Sequence, residues 1–429
     1  DMKRSSVASI LSVILLISAV QSAQWAVLLA GSRGWYNYGQ QTDICHAYQT
    51  LIKGGIPREN IIVFADNDEA FNPENPFPGL LFNDQSGNDV YSGCNIDYSG
   101  NDVSSTNFLN VLKGNAAALS GIGTGRVLQT TSDDTVFINY SDHGGYGVVA
   151  MPNGALYAAD LQDAISYMWA NQKYGKMIFY MEACQSGSMF ISYPQNMKFM
   201  AVTSADPNEP AWMTYCPPDD DVVNGVHLNT CLGDFFSHTW VTNLETENTA
   251  QYSLQQQYLY LQDYVFTSHV SRYGDFSFLS DPVANFLGNM NPTPSEKREQ
   301  AKDTSRKIKI TDSKLEYLKA KHATLNTAES KAALEAEIAE RAAVDKIFST
   351  LSAVTGENVP NTIKTNTDCY RSAIEAFDSV CGLSREYALT YSRLLHDYCA
   401  LPRANASLLA DHFIAHCKSS VSTLTTSTA

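Results

Sequence analysis

Short apolar runs alternate with helical stretches in the part of the chain that precedes position 281. The apolar runs are rich in Val, Ile, Phe and Tyr, and they predict strands at 25–30, 61–65, 135–140, 176–181 and 198–203. Helical spacing predicts helices between them at 41–53, at 108–112 with its continuation, and at 158–171. Since the runs lack strict apolar and polar alternation, both faces of the sheet should be covered by helices. The pattern therefore predicts an α/β sandwich with a mostly parallel central sheet.

A Pro- and Asn-rich run at 281–295 ends this alternation. Its prolines, at 282, 292 and 294, cannot continue a helix or a central strand. Beyond the run, apolar residues at helical spacing predict helices at 329–351, 369–380, 384–399 and 404–417. Asn326, followed by Glu329, fits a helix start, because its amide can accept hydrogen bonds from early backbone N–H groups. We expect two domains, 24–290 and 327–429, joined by a linker at 291–326.

Charge is distributed unevenly between these two parts. The chain carries 29 Lys and Arg against 45 Asp and Glu, a formal net charge of -16. Residues 24–290 hold 9 basic and 27 acidic residues, a balance of -18, whereas the residues from 291 onward hold 18 and 17. Phosphate groups demand cationic surface, so nucleic-acid binding is excluded. The basic residues of 297–321 should instead attract the acidic part near neutral pH, and carboxylate protonation should weaken that attraction.

The first 23 residues predict a secretory signal peptide. Lys3 and Arg4 precede an apolar stretch at 7–20, and small residues follow at Ser22 and Ala23. Because a bilayer span needs about 20 apolar residues, a membrane anchor is the less favoured alternative, and no stable membrane insertion is expected. A secreted chain can be glycosylated at Asn-X-Ser sequons, but Asn139 falls in a predicted buried strand. Asn405 is therefore the expected glycan site.

Cysteine usage fits an oxidising compartment. The nine cysteines leave at least one thiol free. Cys216 and Cys231 bracket a loop, and closing a loop of about 15 residues contributes roughly 3 kcal/mol in the chain-entropy model. Four more cysteines crowd into the C-terminal part, where three pairings are open to them: Cys369, Cys381, Cys399 and Cys417. A zinc site of His412, His416 and Cys417 is the alternative, less favoured in a secreted chain.

Two predicted strands end in residues that can carry chemistry. The strand 135–140 runs into Ser-Asp-His-Gly-Gly, and the strand 176–181 runs into Glu-Ala-Cys-Gln-Ser-Gly-Ser. Because carboxyl ends of parallel strands share one sheet edge, His143 and Cys184 can meet there as a base and a thiol nucleophile. Gly144 lets backbone N–H groups approach a developing oxyanion, with the Cys184 amide as a second donor. On spacing alone, a structural Cys and an unrelated His fit equally well.

Two other cysteines are assigned no chemistry. Cys45 and His46 are adjacent on a predicted helix, where neighbouring side chains point about 100° apart, so both are expected to pack. Cys94 lies in a Gly-, Asn- and Asp-rich loop with no His in its own segment. We expect Cys94 to be a free surface thiol.

With these motifs in place, the chain resembles the legumain family, asparaginyl endopeptidases among the caspase-like cysteine peptidases. The matching segments begin at positions 25, 35, 45, 107, 141, 182 and 232, and they read WAVLLAGS, WYNY, CHAYQ, NFL, SDHG, EACQSGSM and LGD. The resemblance covers nearly all of the chain after the signal peptide. It implies a caspase-like sandwich followed by an all-α, disulfide-stapled inhibitory prodomain at 327–429. It also implies a proenzyme activated at acidic pH, in a lysosome- or vacuole-like compartment, or secreted or held at the cell surface.

The resemblance further implies roles for single residues. A base, a nucleophile, an oxyanion donor and a residue that orients the base would be, in that order, His143, Cys184, Gly144 and Asn37. Glu182 and Asp234 would line the pocket for a substrate Asn side chain. Asn326 matches the position at which such proenzymes cut themselves.

One pair of positions departs from the family pattern. Members of the family carry Arg-His after the Asn-Tyr pair, and the Arg contributes a cation to the specificity pocket; here Gly39 and Gln40 stand there. Without that cation, neighbouring carboxylates hold a proton or attract a cationic side chain. Pro210 and Ala211 also replace a pair of serines. We expect cleavage after Asn with a broadened tolerance for Asp, Lys or Arg.

Other activities are compatible with the same residues. An acyl-enzyme captured by an amine would make the protein a peptide ligase or transamidase. A catalytically inactive surface binding protein is a further alternative, against which the intact His143 and Cys184 argue. Protein and peptide substrates and the chain's own prodomain are the expected partners, and no cofactor or metal is expected.

Overall fold

The computed structural model describes residues 22–191, 193–293, 303–355, 365–382 and 385–427. For 353–355 and 418–427 only the backbone is described. The predicted signal peptide up to residue 21, Pro294, and the basic residues Lys297, Arg298 and Lys302 lie outside the described residues. Within the described residues, no helix combines the length and apolar composition that crossing a bilayer requires.

Strands alternate with helices in the N-terminal part of the chain, and most of the C-terminal part is helical. The strands are β1 Gln24–Ala30, β2 Ile61–Phe64, β3 Thr135–Ser141, β4 Gly144–Gly145, β5 Val148–Ala150, β6 Ala155–Tyr157, β7 Lys176–Glu182, β8 Phe199–Thr203, β9 Trp212–Thr214, β10 Val222–Val223, β11 Val226–His227, β12 Gly233–Asp234, β13 Ser271–Gly274 and β14 Ile308–Lys309. The helices are α1 Tyr38–Lys53, α2 Ser105–Lys113, α3 Ala158–Ala170, α4 Phe235–Thr246, α5 Leu254–Tyr264, α6 Ala284–Leu287, α7 Ser313–Leu325, α8 Ala328–Thr355, α9 Thr367–Cys381, α10 Arg385–Ala388, α11 Ser392–Cys399 and α12 Ala406–Ser427.

The central sheet has six strands in the order β13-β8-β7-β3-β1-β2. Five of them are parallel, and β13 pairs antiparallel with β8 at one edge. All five strands predicted from apolar runs belong to this sheet. The edge strand β13 escaped prediction because its sequence, Ser-Arg-Tyr-Gly, contains no apolar run.

Helices cover both faces of this sheet. Alternate residues of β1 point to opposite faces: Val27 and Leu29 pack with α2 and α3, while Ala26 and Leu28 pack with α1, α4 and α5. Every side chain of β1 from Ala26 to Ala30 is buried, and burying one Val or Leu contributes about 1.5–3 kcal/mol. The α/β sandwich with a mostly parallel sheet is confirmed.

The C-terminal part is helical and forms a second core. Phe348, Phe377 and Phe413 pack together between α8, α9 and α12. Disulfides join Cys369 to Cys399 and Cys381 to Cys417. The all-α, disulfide-linked C-terminal region is therefore confirmed, and because Cys417 is bonded to Cys381, it supplies no thiolate for the alternative zinc site. The predicted helix at 384–399 is broken into α10, a 3-10 turn at Leu389–Tyr391 and α11.

Two further disulfides tie the N-terminal part. Cys216 and Cys231 are bonded across their loop as the sequence suggested. Cys94 is bonded to Cys45, so the expectation of a free surface thiol at Cys94 is wrong, and Cys45 is more than a packing residue. The two are separated by 49 positions, and their meeting depends on how the 91–95 loop folds back on α1. Local spacing carries no signal of that contact.

The junction between the two parts contains a helix that the linker assignment left out. Helix α7 ends at Leu325, and Asn326 takes the left-handed conformation that closes it, with φ of 48°. The helix start predicted at Asn326 is therefore wrong by one residue, because Thr327 accepts the backbone N–H of Ser330 at 3.1 Å instead. Asn is among the few residues that tolerate this left-handed position. Asn326 is left exposed in the turn between α7 and α8.

Candidate active site

The register of the central sheet brings the two predicted reactive residues to one edge. Strands β3 and β7 are parallel neighbours, and Ser141 lies opposite Glu182. The backbone N–H of Asp142 donates to the carbonyl of Glu182 at 3.1 Å. His143 follows Ser141 by two residues and Cys184 follows Glu182 by two residues. Both therefore lie just beyond the carboxyl ends of adjacent strands, where open α/β sheets hold their functional groups.

Gly144 allows the two strand ends to approach closely. A Cβ at this position would lie 2.6 Å from the carbonyl oxygen of Cys184 and 2.9 Å from the Cβ of Ala183. Any other residue would push the two segments apart, so this glycine is required by the contact itself. The chain after His143 thus runs directly beside the backbone of Cys184.

His143 is held by an amide side chain in one tautomer. Its Nε2 lies 2.9 Å from Oδ1 of Asn37. A carbonyl oxygen can only accept, so Nε2 carries the proton and donates it to Asn37. Nδ1 is then the nitrogen with a lone pair, and it has no hydrogen-bond partner among the described residues. Asn37 precedes α1 but does not cap it, because its side chain is used for His143.

Cys184 is the free cysteine of the chain. The other eight cysteines form four disulfides. Burial raises the pKa of this thiol to about 12, although the backbone N–H of Ala211, 3.4 Å from the sulfur, acts in the opposite direction. Burial also lowers the pKa of the His143 imidazole. Burial therefore favours the uncharged forms of both the thiol and the imidazole.

Close to Cys184, three carboxyl groups are buried together, those of Asp43, Glu182 and Asp234, and all are fully inaccessible to solvent. Ser141 donates to Asp234 at 2.7 Å, and the amide of Gln40 donates to both Asp234 oxygens at 3.1 and 3.2 Å. The backbone N–H of Ser237 donates to Glu182 at 2.9 Å. All of these partners are neutral.

The protonation of these three carboxyl groups depends on their burial and on their mutual repulsion. Burial, followed by the neighbouring Asp234, raises the pKa of Asp43 and of Glu182 well above their usual range. Burial also raises the pKa of Asp234, but hydrogen bonds from Ser141, Asp43 and Gln40 limit the rise to about 6. Asp234 is thus the first of the three to ionise as the pH rises.

A segment from the C-terminal part lies close to Cys184. Strand β14 pairs antiparallel with β9, with Ile308 opposite Met213 and Lys309 opposite Trp212. The next residue, Ile310, donates its backbone N–H to the carbonyl of Ala211 at 3.0 Å and begins a 3-10 turn that runs to Asp312. The backbone N–H of Thr311 reaches the sulfur of Cys184. Residues 308–310 therefore add to β9 near Cys184, as extended peptides add to the edge of a sheet, and the chain turns away from β9 after them.

Glu386, from α10, reaches the imidazole from the other side. Its carboxylate accepts from Asn37 at 3.3 Å and from the hydroxyl of Tyr36 at 3.4 Å, and it lies 3.9 Å from Nε2 of His143. Further along, Ser392 accepts the backbone N–H of Tyr146 at 2.6 Å. The C-terminal region thus touches both the base and the strand that follows it.

The structure brings together most of the residues singled out in the sequence. His143, Cys184, Gly144 and Asn37 lie at one edge of the sheet, and Glu182 and Asp234 are buried next to it; their roles stay predictions. Asn326 lies in an exposed turn.

Sequence reasoning missed three contributors, Asp43, Ile310 and Glu386. Asp43 follows Gln40 by three positions on α1, a spacing that places both on one helix face, and this was the available signal. For Ile310 and Glu386 the sequence carries no comparable local signal, since each reaches the site through a tertiary contact.

A free thiol and an imidazole with an available lone pair at one sheet edge, next to buried carboxyl groups and a strand to which another segment of the chain adds, are typical of a cysteine peptidase. The model of the Peptidase C13 family matches residues 24–289. Legumain of Homo sapiens is 34% identical, over 92% of this chain and 95% of that protein. The vacuolar-processing enzyme delta-isozyme of Arabidopsis thaliana is 36% identical, over 89% and 87% respectively. Caspase-1 of Spodoptera frugiperda aligns with a TM-score of 0.38 and 11% identity, covering 64% of this chain and 92% of that one.

The chain belongs to the peptidase C13 family. It is a cysteine endopeptidase of the legumain type, as the sequence motifs indicated.

Proposed function

We propose that the protein cleaves peptide bonds on the carboxyl side of Asn and is made as an autoinhibited zymogen. The observation that carries the proposal is the pairing of a free Cys184 thiol with His143, whose Nε2 proton is fixed by Asn37 and whose Nδ1 is unpartnered. The wider family membership supports peptide hydrolysis, and the pocket beside the thiol supports selection by a polar side chain.

The proposed reaction forms a thioester on Cys184 and then hydrolyses it. Nδ1 of His143 takes the proton of the Cys184 thiol, and the sulfur attacks the carbonyl carbon of the scissile bond. Backbone N–H groups of Gly144 and Cys184 stabilise the oxyanion. The imidazolium then protonates the departing amine, the peptide C–N bond breaks, and a thioester remains. Water, deprotonated by the same imidazole, hydrolyses the thioester and releases the thiol.

The pocket provides both kinds of hydrogen bond that an Asn side chain needs. An Asn amide has two N–H donors and one carbonyl acceptor. Glu182 has an oxygen without a partner in the described structure, and it can accept from the substrate amide. Since the raised pKa values of Asp43 and Glu182 keep protons on these groups, the pocket also holds a donor for the carbonyl oxygen. A protonated substrate Asp also has a donor and an acceptor, so it can form the same two kinds of hydrogen bond.

Inhibition by the C-terminal region follows from what it covers. Residues 308–311 occupy the edge of β9 where a substrate would pair, and Glu386 engages Asn37 beside the base. Burial is the main cause of the raised pKa of the Cys184 thiol, and Ile308 and Ile310 of this cover belong to the same buried apolar cluster as Cys184. Among the described basic residues of the linker, Lys321 forms an ion pair with Glu74 of the catalytic region at 2.9 Å. Arg306 and Lys314 instead pair with Glu316 and Glu337, which follow the catalytic region in the chain.

The zymogen proposal predicts self-processing in acid. After incubation of the full chain at about pH 5, new termini should appear, including one after the exposed Asn326, with faster processing in high salt because screening weakens ion pairs between the two parts. Incubation near pH 7.5 should leave the chain intact for longer. N-terminal sequencing and intact mass read out both results. New termini that follow residues other than Asn or Asp would contradict the Asn preference, and equal rates at both pH values would contradict acid activation.

An acidic compartment of the secretory route, lysosome- or vacuole-like, is the proposed location. The names of the relatives include vacuolar enzymes, and the buried acids point the same way. Burial raises the pKa of Asp43, Asp142 and Glu182 above their unfolded values. The folded chain therefore holds protons that the unfolded chain releases, so these groups favour folding in acid and their contribution is lost as the pH rises.

This linkage predicts greater thermal stability at pH 5 than at pH 7.5. Carboxyls with lowered pKa values, such as Glu337 and Asp303, lose their contribution only below about pH 4 and do not affect the comparison. We expect the unfolding midpoint to fall by several degrees, on the order of 2–8 °C, between pH 5 and pH 7.5. Scanning calorimetry on the Cys184→Ala chain avoids self-cleavage during the measurement. An unchanged or higher midpoint at pH 7.5 would show that the buried acids are not controlling stability.

A further inference from the structure

The three buried carboxyls near Cys184 have no cationic partner among the described residues, and we propose that a substrate Lys or Arg supplies one. The protein would then cleave after protonated Lys and Arg as well as after Asn, with Asp234 as the residue that pairs with the substrate cation. This inference rests on the proposed peptidase function of the same site, and it names a substrate class that an Asn pocket excludes.

Among the described residues, the groups that face these carboxyls are neutral or acidic. They are Gln40 from α1, Ser141 and Asp142 from the end of β3, Cys184 from the loop after β7, Ser237 from α4, and Asn83, which contacts Asp43. No described Lys or Arg forms an ion pair with Asp43, Glu182 or Asp234. Burying a carboxylate without a counter-charge is costly, and such groups either keep a proton or bind a cation.

Two buried polar atoms in the pocket also lack partners. These are Oε1 of Glu182 and Oε1 of Gln40, on residues that are both 0% exposed. The Gln40 oxygen is an acceptor, as are the oxygens of ionised Asp234, and a protonated Glu182 carboxyl keeps one accepting oxygen beside its O–H. A guanidinium or an ammonium offers only donors. The unmet acceptors therefore match a cationic side chain better than an amide, which brings an acceptor of its own.

Position 39 has little room for a side chain that could carry this cation. A Cβ on Gly39 would lie 3.0 Å from Cε of Met213 and 3.1 Å from the Cα of Gly233. The backbone atoms of Gly233 cannot rotate away, so a side chain here would require the loop before α4 to move. Gln40 contributes hydrogen bonds to Asp234 without contributing charge. The negative charge of Asp234 is consequently left for the substrate.

Ionisation of Asp234 makes this selectivity depend on pH. Below about pH 6 the Asp234 carboxyl is mostly protonated, and the uncharged site favours binding of Asn and protonated Asp. Above about pH 6 Asp234 is mostly ionised, and its charge favours binding of Lys and Arg. Asp43 and Glu182 lose their protons at higher pH, because burial and mutual repulsion raise their pKa values further. The ratio of kcat/KM for Lys to that for Asn should therefore rise as the pH passes through about 6. A ratio taken at one pH cancels the titration of the thiol and imidazole, which act on both substrates.

The test uses the full chain, matured in acid, and a matched set of fluorogenic peptides that differ only in Asn, Asp, Lys, Arg or Gln before the scissile bond. A thiol-reactive probe counts active sites so that rates refer to competent enzyme.

Between pH 5 and pH 7 we expect the Lys/Asn ratio to increase about tenfold, as expected for titration of a single carboxylate. Asp234→Asn should lower the Lys and Arg rates by roughly 100-fold and remove the pH dependence of the ratio. Asp133→Asn, an exposed Asp away from the site, is the charge-matched control and should change neither.

The possible results separate this inference from the function on which it rests. Cleavage after Asn with no cleavage after Lys or Arg at either pH overturns the cationic pocket and leaves the peptidase intact. No cleavage of any peptide by probe-reactive enzyme overturns the proposed function. If Asp234→Asn does not mature, butylguanidinium serves with the unaltered enzyme: it should compete with the Asn peptide more strongly at pH 7 than at pH 5. Equal inhibition at the two pH values would contradict the pairing with Asp234.

Discussion

Replacing Cys184 with Ala is expected to eliminate peptidase activity and to stop self-processing. The sulfur is the proposed nucleophile, so kcat/KM should fall by at least about 10⁴-fold, a change of roughly 5 kcal/mol in transition-state stabilisation. Cys184→Ser keeps the shape of the side chain but replaces a thiol by a hydroxyl that His143 activates far less readily, and its activity should be equally low. Steady-state hydrolysis of an Asn peptide measures the loss, with the rates of the variants referred to total protein concentration and that of the unaltered enzyme to active sites counted by thiol alkylation.

Asn37→Ala provides a graded comparison in the same assay. Asn37 fixes the Nε2 proton of His143 without touching the scissile bond, so its loss should reduce kcat by about 10- to 100-fold while KM changes little. Asn37→Asp should not restore the rate at about pH 5, because an ionised carboxylate favours the imidazolium and leaves less neutral imidazole to take the thiol proton. Near-normal kcat in Asn37→Ala would show that the tautomer is set by another group, and substantial activity in Cys184→Ala would overturn the nucleophile itself.

Most of the sheet could be predicted because its strands are encoded locally. Buried parallel strands such as β3 and β7 must be apolar on both faces, and a continuous apolar run is visible without knowledge of the fold. The reactive edge follows from the same rule, since the residues after two such runs are brought together by parallel pairing. This is why His143 and Cys184 could be placed from sequence, and why α4 and α5, whose apolar residues are mixed with polar ones along the helix, could not.

Contacts made between distant segments are the part that the sequence did not reveal. The Cys45–Cys94 bond depends on a loop path, and Glu386 meets Asn37 only because the C-terminal region docks on the strands β4 to β6. The acidic pocket shows the same limit. Glu182 and Asp234 were found through their motifs, whereas Asp43 joins them only when α1 is laid against β12. Local pattern determines which elements form, and docking determines which charges share a site.

If the C-terminal region inhibits as proposed, its covering segment and the substrate compete for one strand edge. Residues 308–310 follow β9 in an antiparallel register, and Thr311 contacts the sulfur of Cys184. On this proposal Ile310 takes the position of the residue that precedes a scissile bond. A β-branched apolar side chain cannot form hydrogen bonds with the buried acceptors near Cys184, which would leave the segment bound but uncut.

Ile310→Asn should therefore turn the covering segment into a substrate. In the full chain, incubated at about pH 5, we expect a new cut between positions 310 and 311, faster than the cut after Asn326, because the bond is already seated at the thiol and the reaction is intramolecular. Intact mass and N-terminal sequencing from Thr311 identify the cut. Ile308→Asn is the matched control: it places the same side chain two residues earlier on β14, opposite Met213, and should yield no cut there. If Ile310→Asn leaves the 310–311 bond intact while Asn peptides are hydrolysed, the segment inhibits by blocking access and not by occupying the substrate register.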